Sequence, residues 1–389
     1  MTDHKGAAAG ERGGERLFNF SPGPAVLPLE VLEEIRRDML CLPGVGSSIL
    51  EISHRSPAFD EILAETRRGL GGLLGVPDTH EIVFLQGGAN LQFSMIPMNL
   101  LRGQSEPADF IVTGTWGAGA ANQAALEGSV AVSWDGKSCN YNRLPEPGEI
   151  AASPQAAYVH LTSNETIQGV QWKQMPQTGD APLVCDASSD FLSRPVDVSK
   201  LGLLYACAQK NAGIAGVTVV VIRKELLQRS AASLPAMLSY KVHAEKDSRA
   251  NTPPVFAIYV LSLVCRWIRD TYGDLDKLAA HNAAKAALLY DVLDTSEGFY
   301  TGHAATACRS DMNVTFRLPS EELEKAFVAE AAEEGLVDLQ GHRSVGGIRA
   351  SVYNAMPLAG VEKLRDFMTA FRQSHRSATG PSGTAGGNA

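Results

Sequence analysis

Apolar residues recur on one helical face between Pro57 and Leu74, at Phe59, Ile62, Leu63, Leu70, Leu73 and Leu74. Ser56 offers a side-chain oxygen to the helix start, and Pro57 has the fixed φ suited to the first helical position. The spacing predicts a helix over Pro57–Leu74. Beyond it the period changes. Short, nearly continuous apolar runs stand at Ile82–Leu85, Phe110–Val112, Tyr158–Leu161, Leu183–Cys185, Leu203–Cys207 and Val217–Ile222, most of them separated by enough chain for a helix or a long crossover. Strands that are apolar throughout are covered on both faces, so the pattern predicts an α/β fold with a mostly parallel sheet between helices. Ligands of such sheets sit beyond the carboxyl ends of the strands.

After about Ala280 the texture changes. A strand-like run, Met312–Leu318, precedes an acidic helix at Ser320–Glu334, and the alternating Gly347–Tyr353 leads to a final helix near Gly360–Phe371. The organisation expected is a large domain over residues 16–280, whose first residues could pack with the second unit, and a smaller C-terminal α+β domain over 281–376. Residues 1–15 and 377–389, rich in Gly, Ala, Ser and Thr without apolar periodicity, read as disordered tails.

Composition narrows the function. A net charge of −9 argues against a nucleic-acid binder, which needs clustered Lys and Arg to neutralise phosphates. The cysteines (Cys41, Cys139, Cys185, Cys207, Cys265, Cys308) show no CxxC pair and no metal-ligand spacing, so reduced thiols and no metal are expected. The N-terminus lacks the apolar core of a signal peptide, and the longest apolar stretch, Pro253–Cys265, is too short to span a bilayer. A soluble, cytoplasmic protein is the expectation.

Three of the apolar runs lead to residues with a common chemistry. One ends in Asp186, one is followed by Trp116, and one by Lys210, which lies among small residues in ACAQKNAGIAG. A lysine amine that forms an imine, a carboxylate that keeps a pyridine nitrogen protonated and an aromatic face against the ring are what pyridoxal phosphate chemistry requires. The ordinary alternatives are a solvated surface lysine and an aspartate that caps a helix. The segment LQGGANLQF (Leu85–Phe93) reads as strand, glycine turn and helix start, a cradle for a phosphate with Ala89 and Asn90 nearest the helix. His54–Arg55, and His342–Arg343 with Arg349, are cationic clusters in an acidic chain and suit a dianionic substrate.

Taken in order, FNFSPGPAVLP, EISHRS, QGGANLQF, TGTWGAGA, SNETIQG, CDASSD, AQKNAG, NTPP and GHRSVGGIRASVYNAMP resemble the phosphoserine aminotransferases, of the class V group among fold-type I aminotransferases. The resemblance runs from Phe18 to Pro357 and implies a homodimer with shared active sites. It implies that Lys210 carries pyridoxal 5'-phosphate and shuttles a proton, that Asp186 pairs with the pyridine nitrogen, that Trp116 stacks on the ring and that Thr166 meets the phenolic oxygen. Ala89, Asn90 and Gln209 would hold the phosphate, with Asn251 and Thr252 reaching in from the second subunit. Arg349 would grip the substrate α-carboxylate, while His54, Arg55, His342 and Arg343 bind its distal phosphate or carboxylate, partly across the interface.

The implied reaction interconverts 3-phosphohydroxypyruvate and glutamate with O-phosphoserine and 2-oxoglutarate; 4-phosphohydroxythreonine, of vitamin B6 synthesis, is a second candidate substrate. Two departures stand out: Asn90 where some members carry Arg, and Ile214 where many carry Pro. Alternatives are a same-fold desulfurase or β-lyase, for which Cys308 would be the candidate thiol, or a non-catalytic relative, for which Lys210, Asp186 and the arginines would be superfluous.

Overall fold

The computed structural model describes residues 16–343 and 345–376. The two segments read as disordered tails, 1–15 and 377–389, lie outside the described residues.

The predicted helix forms as α1 (Pro57–Leu74). The Ser56 hydroxyl accepts the Phe59 amide at 3.3 Å, and Gly75, with φ of 60°, closes the far end in the left-handed region. Ser56→Ala is expected to cost about 1 kcal/mol, read as a lower denaturant midpoint with an unchanged slope.

The apolar runs become strands of one seven-stranded sheet: β1 (His80–Leu85), β2 (Ala108–Val112), β3 (Val130–Asp135), β4 (Tyr158–Thr162), β5 (Leu183–Asp186), β6 (Leu203–Cys207) and β7 (Thr218–Arg223), in the order β1-β7-β6-β5-β4-β2-β3. The β6-β5-β4-β2-β3 run is parallel, whereas β7 lies antiparallel to both β1 and β6. Alternate residues serve opposite faces. Val83, Phe110, Val184, Tyr205 and Val220 pack with α2 (Gly88–Leu100) and α3 (Thr115–Ala124), while Phe84, Ile111, Cys185, Leu204 and Val221 pack with α1 and α4 (Val255–Tyr272). The longest apolar stretch is therefore largely a buried helix. Among the described residues no helix is long and apolar enough to cross a membrane.

A second core gathers around a three-stranded antiparallel sheet of Thr301–Gly302, Asn313–Arg317 and Ile348–Ser351, covered by the helices Glu321–Glu333 and Leu358–His375. Phe18–Asn19 pairs in parallel with Leu336–Val337, and Phe20 enters this core. Position 280 falls inside α5 (Leu275–Asp294), which belongs to both parts: Leu275 and Leu278 pack in the core of the large sheet, Leu289, Val292 and Leu293 in the second. Lys285 is fully buried on this helix and donates to the carbonyls of Tyr353 (2.7 Å) and Met356 (3.1 Å), tying it to the turn after Ile348–Ser351.

Candidate active site

The parallel strands point their carboxyl ends to one edge, and the segments that follow them line a cleft of about 340 Å³ there. From the end of β1 come Gly87, Gly88, Ala89 and Asn90; after β2 comes Trp116; from the end of β4 and beyond come Thr162, Asn164 and Thr166; Asp186 ends β5; and Gln209 and Lys210 follow β6. His342 and Arg349 enter from the second unit. Strand ends converge because parallel strands share a direction, which is why residues far apart in sequence meet here.

The Lys210 Nζ donates to the Thr166 hydroxyl at 2.7 Å and lies 5.7 Å from the centroid of the Trp116 ring. The Pro22–Gly23 turn lines the cleft against it: a Cβ at Gly23 would meet the Lys210 Cγ at 3.2 Å, so a side chain there would crowd the lysine stem. Asn211 secures the loop behind, donating to the Ser189 carbonyl (3.1 Å) and accepting the Asn354 amide (2.9 Å).

Asp186 is buried and accepts the Ser188 amide at 2.8 Å. Burial raises its pKa, with Ser188 and the Lys210 ammonium opposing. Glu165 is fully buried behind Trp116, and burial pushes its carboxyl up to about 7 against the pull of the Gly117 and Trp116 amides; the charge of Asp186 raises it further and Lys210 lowers it. A folded-state pKa raised from 4.5 to about 7 means that the native state binds the extra proton across this window. Stability of the cofactor-free protein is thus expected to fall as pH rises through it. Glu165→Gln, with no proton to release, should show a shallower decline when the denaturation midpoint is followed against pH; Asp186 supplies part of what remains.

The glycine turn before α2 takes up the left-handed backbone, with φ of 91° at Gly87 and 66° at Gly88. A Cβ at Gly87 would also lie 2.4 Å from the Leu91 side chain. The first amides of a helix lack intrahelical acceptors and suit an anion, and Leu91 is the residue whose amide reaches back to Gly87, at 3.4 Å. Arg349 is buried, and its Nε is among four buried polar atoms of the cleft residues, with Trp116 Nε1, Thr162 Oγ1 and Asn164 Oδ1, that have no partner among the described residues. Burial lowers the pKa of His342, and Arg349 and Arg343 add to the effect.

A volume of this size, a lysine amine, a buried carboxylate, an aromatic face and a helix-start cradle fit a flat, phosphorylated pyridine.

The remaining residues predicted from the sequence lie elsewhere. His54 and Arg55 stand just before α1, outside this cleft, and the His54 carbonyl accepts from Arg249 at 3.4 Å. Asn251 and Thr252 are exposed and outside their own chain's cleft, Asn251 donating to Gln86 at 3.0 Å. Arg343 is exposed and lines a separate groove beside Arg317 and Glu324. Cys308 is buried, its thiol donating to the Ala305 carbonyl at 3.3 Å, and burial raises its pKa; it is neither exposed nor in the cleft, as a reactive thiol would need to be.

Sequence reasoning missed Glu165, Gln168, Ser188 and the Pro22–Gly23 turn. The first two lie in SNETIQG beside Thr166, where a charged and an amide residue read as loop polarity rather than as buried groups.

A model of the class-V aminotransferases matches residues 17–364. The phosphoserine aminotransferase of Rhodopirellula baltica is 54% identical over 358 residues, which are 92% of this chain and 95% of that protein. The solved phosphoserine aminotransferase of Bacillus circulans subsp. alkalophilus superposes with a TM-score of 0.91 at 47% identity, covering 93% of this chain and 100% of that one. The pyridoxal-phosphate-bound phosphoserine aminotransferase of Trichomonas vaginalis gives 0.86 at 37% identity, over 91% and 100%.

Proposed function

The chain belongs to the phosphoserine aminotransferases of class V, and from that membership we propose that its cleft binds pyridoxal 5'-phosphate at Lys210. The reaction moves an amino group between glutamate and 3-phosphohydroxypyruvate, giving 2-oxoglutarate and O-phosphoserine. The observation that carries the site assignment is the meeting of the Lys210 amine, the Thr166 hydroxyl, the Trp116 ring and the buried Asp186 at one strand edge. When bound, the cofactor supplies a protonated ring that takes up the electron pair released at the substrate Cα.

The protein's own groups do the rest. The Lys210 Nζ would take the proton from the substrate Cα and deliver it to the C4′ carbon of the bound cofactor, its position set by the Thr166 hydroxyl. Asp186 holds a proton on the ring nitrogen by its charge. Trp116 bounds one face of the ring, and the amides of Ala89 and Asn90 with the Gln209 side chain hold the phosphate. Arg349 pairs with the substrate α-carboxylate, and His342, backed by Arg343, meets the distal phosphate or γ-carboxylate.

We extend the reading to a homodimer in which Asn251, Thr252, His54 and Arg55 of each subunit complete the other's cleft. Two features support this: all four lie outside their own cleft, and the segment before His54 exposes Met39, Leu40, Val45 and Leu50. Free cysteines, four of them buried, accord with a cytoplasmic setting.

Arg349→Ala tests the substrate assignment. Both amino-acid substrates carry an α-carboxylate, so KM for O-phosphoserine and for glutamate should rise together, by about 100-fold. A rise for one substrate alone, or for neither, would contradict the role.

A further inference from the structure

Two helix N-termini face the cleft, and one of them is already neutralised from within. The amides that open α2 lie at the glycine turn, where the cofactor phosphate is proposed to sit. Those that open α3 are taken. The Trp116 amide donates to the Glu165 Oε2 at 3.0 Å, the Gly117 amide to the Glu165 Oε1 at 2.9 Å and the Thr115 amide to the Gln168 Oε1 at 3.4 Å. The Gln168 Nε2 closes the arrangement on the Thr115 hydroxyl at 2.8 Å.

A carboxylate at this end also meets the positive pole of the helix. The surrounding chain leaves room for nothing larger: a Cβ at Gly114 would lie 2.5 Å from the Glu165 Cδ and 2.7 Å from the Gln168 Oε1. Thr166, the neighbour of Glu165, meets the Lys210 amine. One short turn therefore holds the helix start that carries Trp116 on one side and the lysine on the other.

We propose that Glu165, assisted by Gln168, is a positioning residue that fixes the first turn of α3 and so the plane of the Trp116 ring over the cofactor. The inference rests on the reading of this cleft as the pyridoxal phosphate site. Glu165 is not among the residues that line the cleft and acts through Trp116, whose amide it accepts.

The test is the dissociation constant of pyridoxal phosphate, with the visible circular dichroism of the bound cofactor, at pH 8, for wild type, Glu165→Gln, Trp116→Ala and the double variant. Glu165→Gln replaces one acceptor with a donor facing an amide, and should weaken cofactor binding about tenfold and alter the dichroism. In the Trp116→Ala background the same change should cost less than twofold, since the group it acts through is gone. An unchanged constant in Glu165→Gln, or the same tenfold loss in both backgrounds, would overturn the proposal. Gln168→Leu leaves the carboxylate in place and should give a smaller loss with the same dependence on Trp116, which keeps the test decisive if Glu165→Gln does not fold. A wild-type protein that takes up no cofactor would instead refute the reading of the site.

Discussion

Lys210→Ala should lower transamination by roughly 10⁴-fold or more, because it removes both the covalent tether of the cofactor and the base that moves the Cα proton. No other amine is placed for that work: among the described residues that line the cleft, Lys210 is the one lysine. The fold should survive, since the lysine head makes one hydrogen bond, to Thr166, and the loop behind it is held by Asn211. Steady-state assay with O-phosphoserine and 2-oxoglutarate checks the rate, and gel filtration followed by absorbance checks retention of the cofactor. A variant within tenfold of wild type would remove Lys210 from the chemistry.

Asp186→Asn should lower turnover by roughly 10²–10³-fold, the scale of losing one preorganised charge at the reacting centre. The amide can still accept from Ser188, so the geometry is kept while the charge is lost. Stability should move the other way. Burial raises the pKa of Asp186, which means its ionised form is disfavoured where no positive ring faces it. The cofactor-free variant should be at least as stable as wild type near neutral pH, a trade of stability for function. Loss of activity with an unchanged or higher melting temperature supports this account; full activity, or marked destabilisation without cofactor, contradicts it.

The large sheet was legible because most of its strands are buried on both faces and leave continuous apolar runs. Val130–Asp135 was not, since this edge strand is half exposed and its short VAVSWD run carries no such signal. The antiparallel setting of β7 between β1 and β6 was also beyond local pattern, because strand order depends on which crossovers the whole chain allows. At the site, Asp186, Trp116 and Lys210 could be read from their places after apolar strands. Glu165 could not: Thr162–Gln168 is polar in all but one position, like a surface loop, yet every residue of it is buried. The Glu165 carboxylate and the Asn164 amide nitrogen find partners across the fold, at Trp116 and Asn313, that spacing along the chain does not reveal. His54 and Arg55 were singled out for charge and type, but one chain leaves them outside the cleft, and only an assembly could bring them to a substrate.

The most direct test of the central claim is glutamate formation from 2-oxoglutarate by the purified, cofactor-loaded protein, offered O-phosphoserine and, separately, serine. The account predicts strong preference for O-phosphoserine, since the groups proposed to meet the distal phosphate, His342 and Arg343 among them, have no second anion to hold in serine. Equal rates with the two, or turnover of neither by a protein that has taken up the cofactor at Lys210, would contradict it.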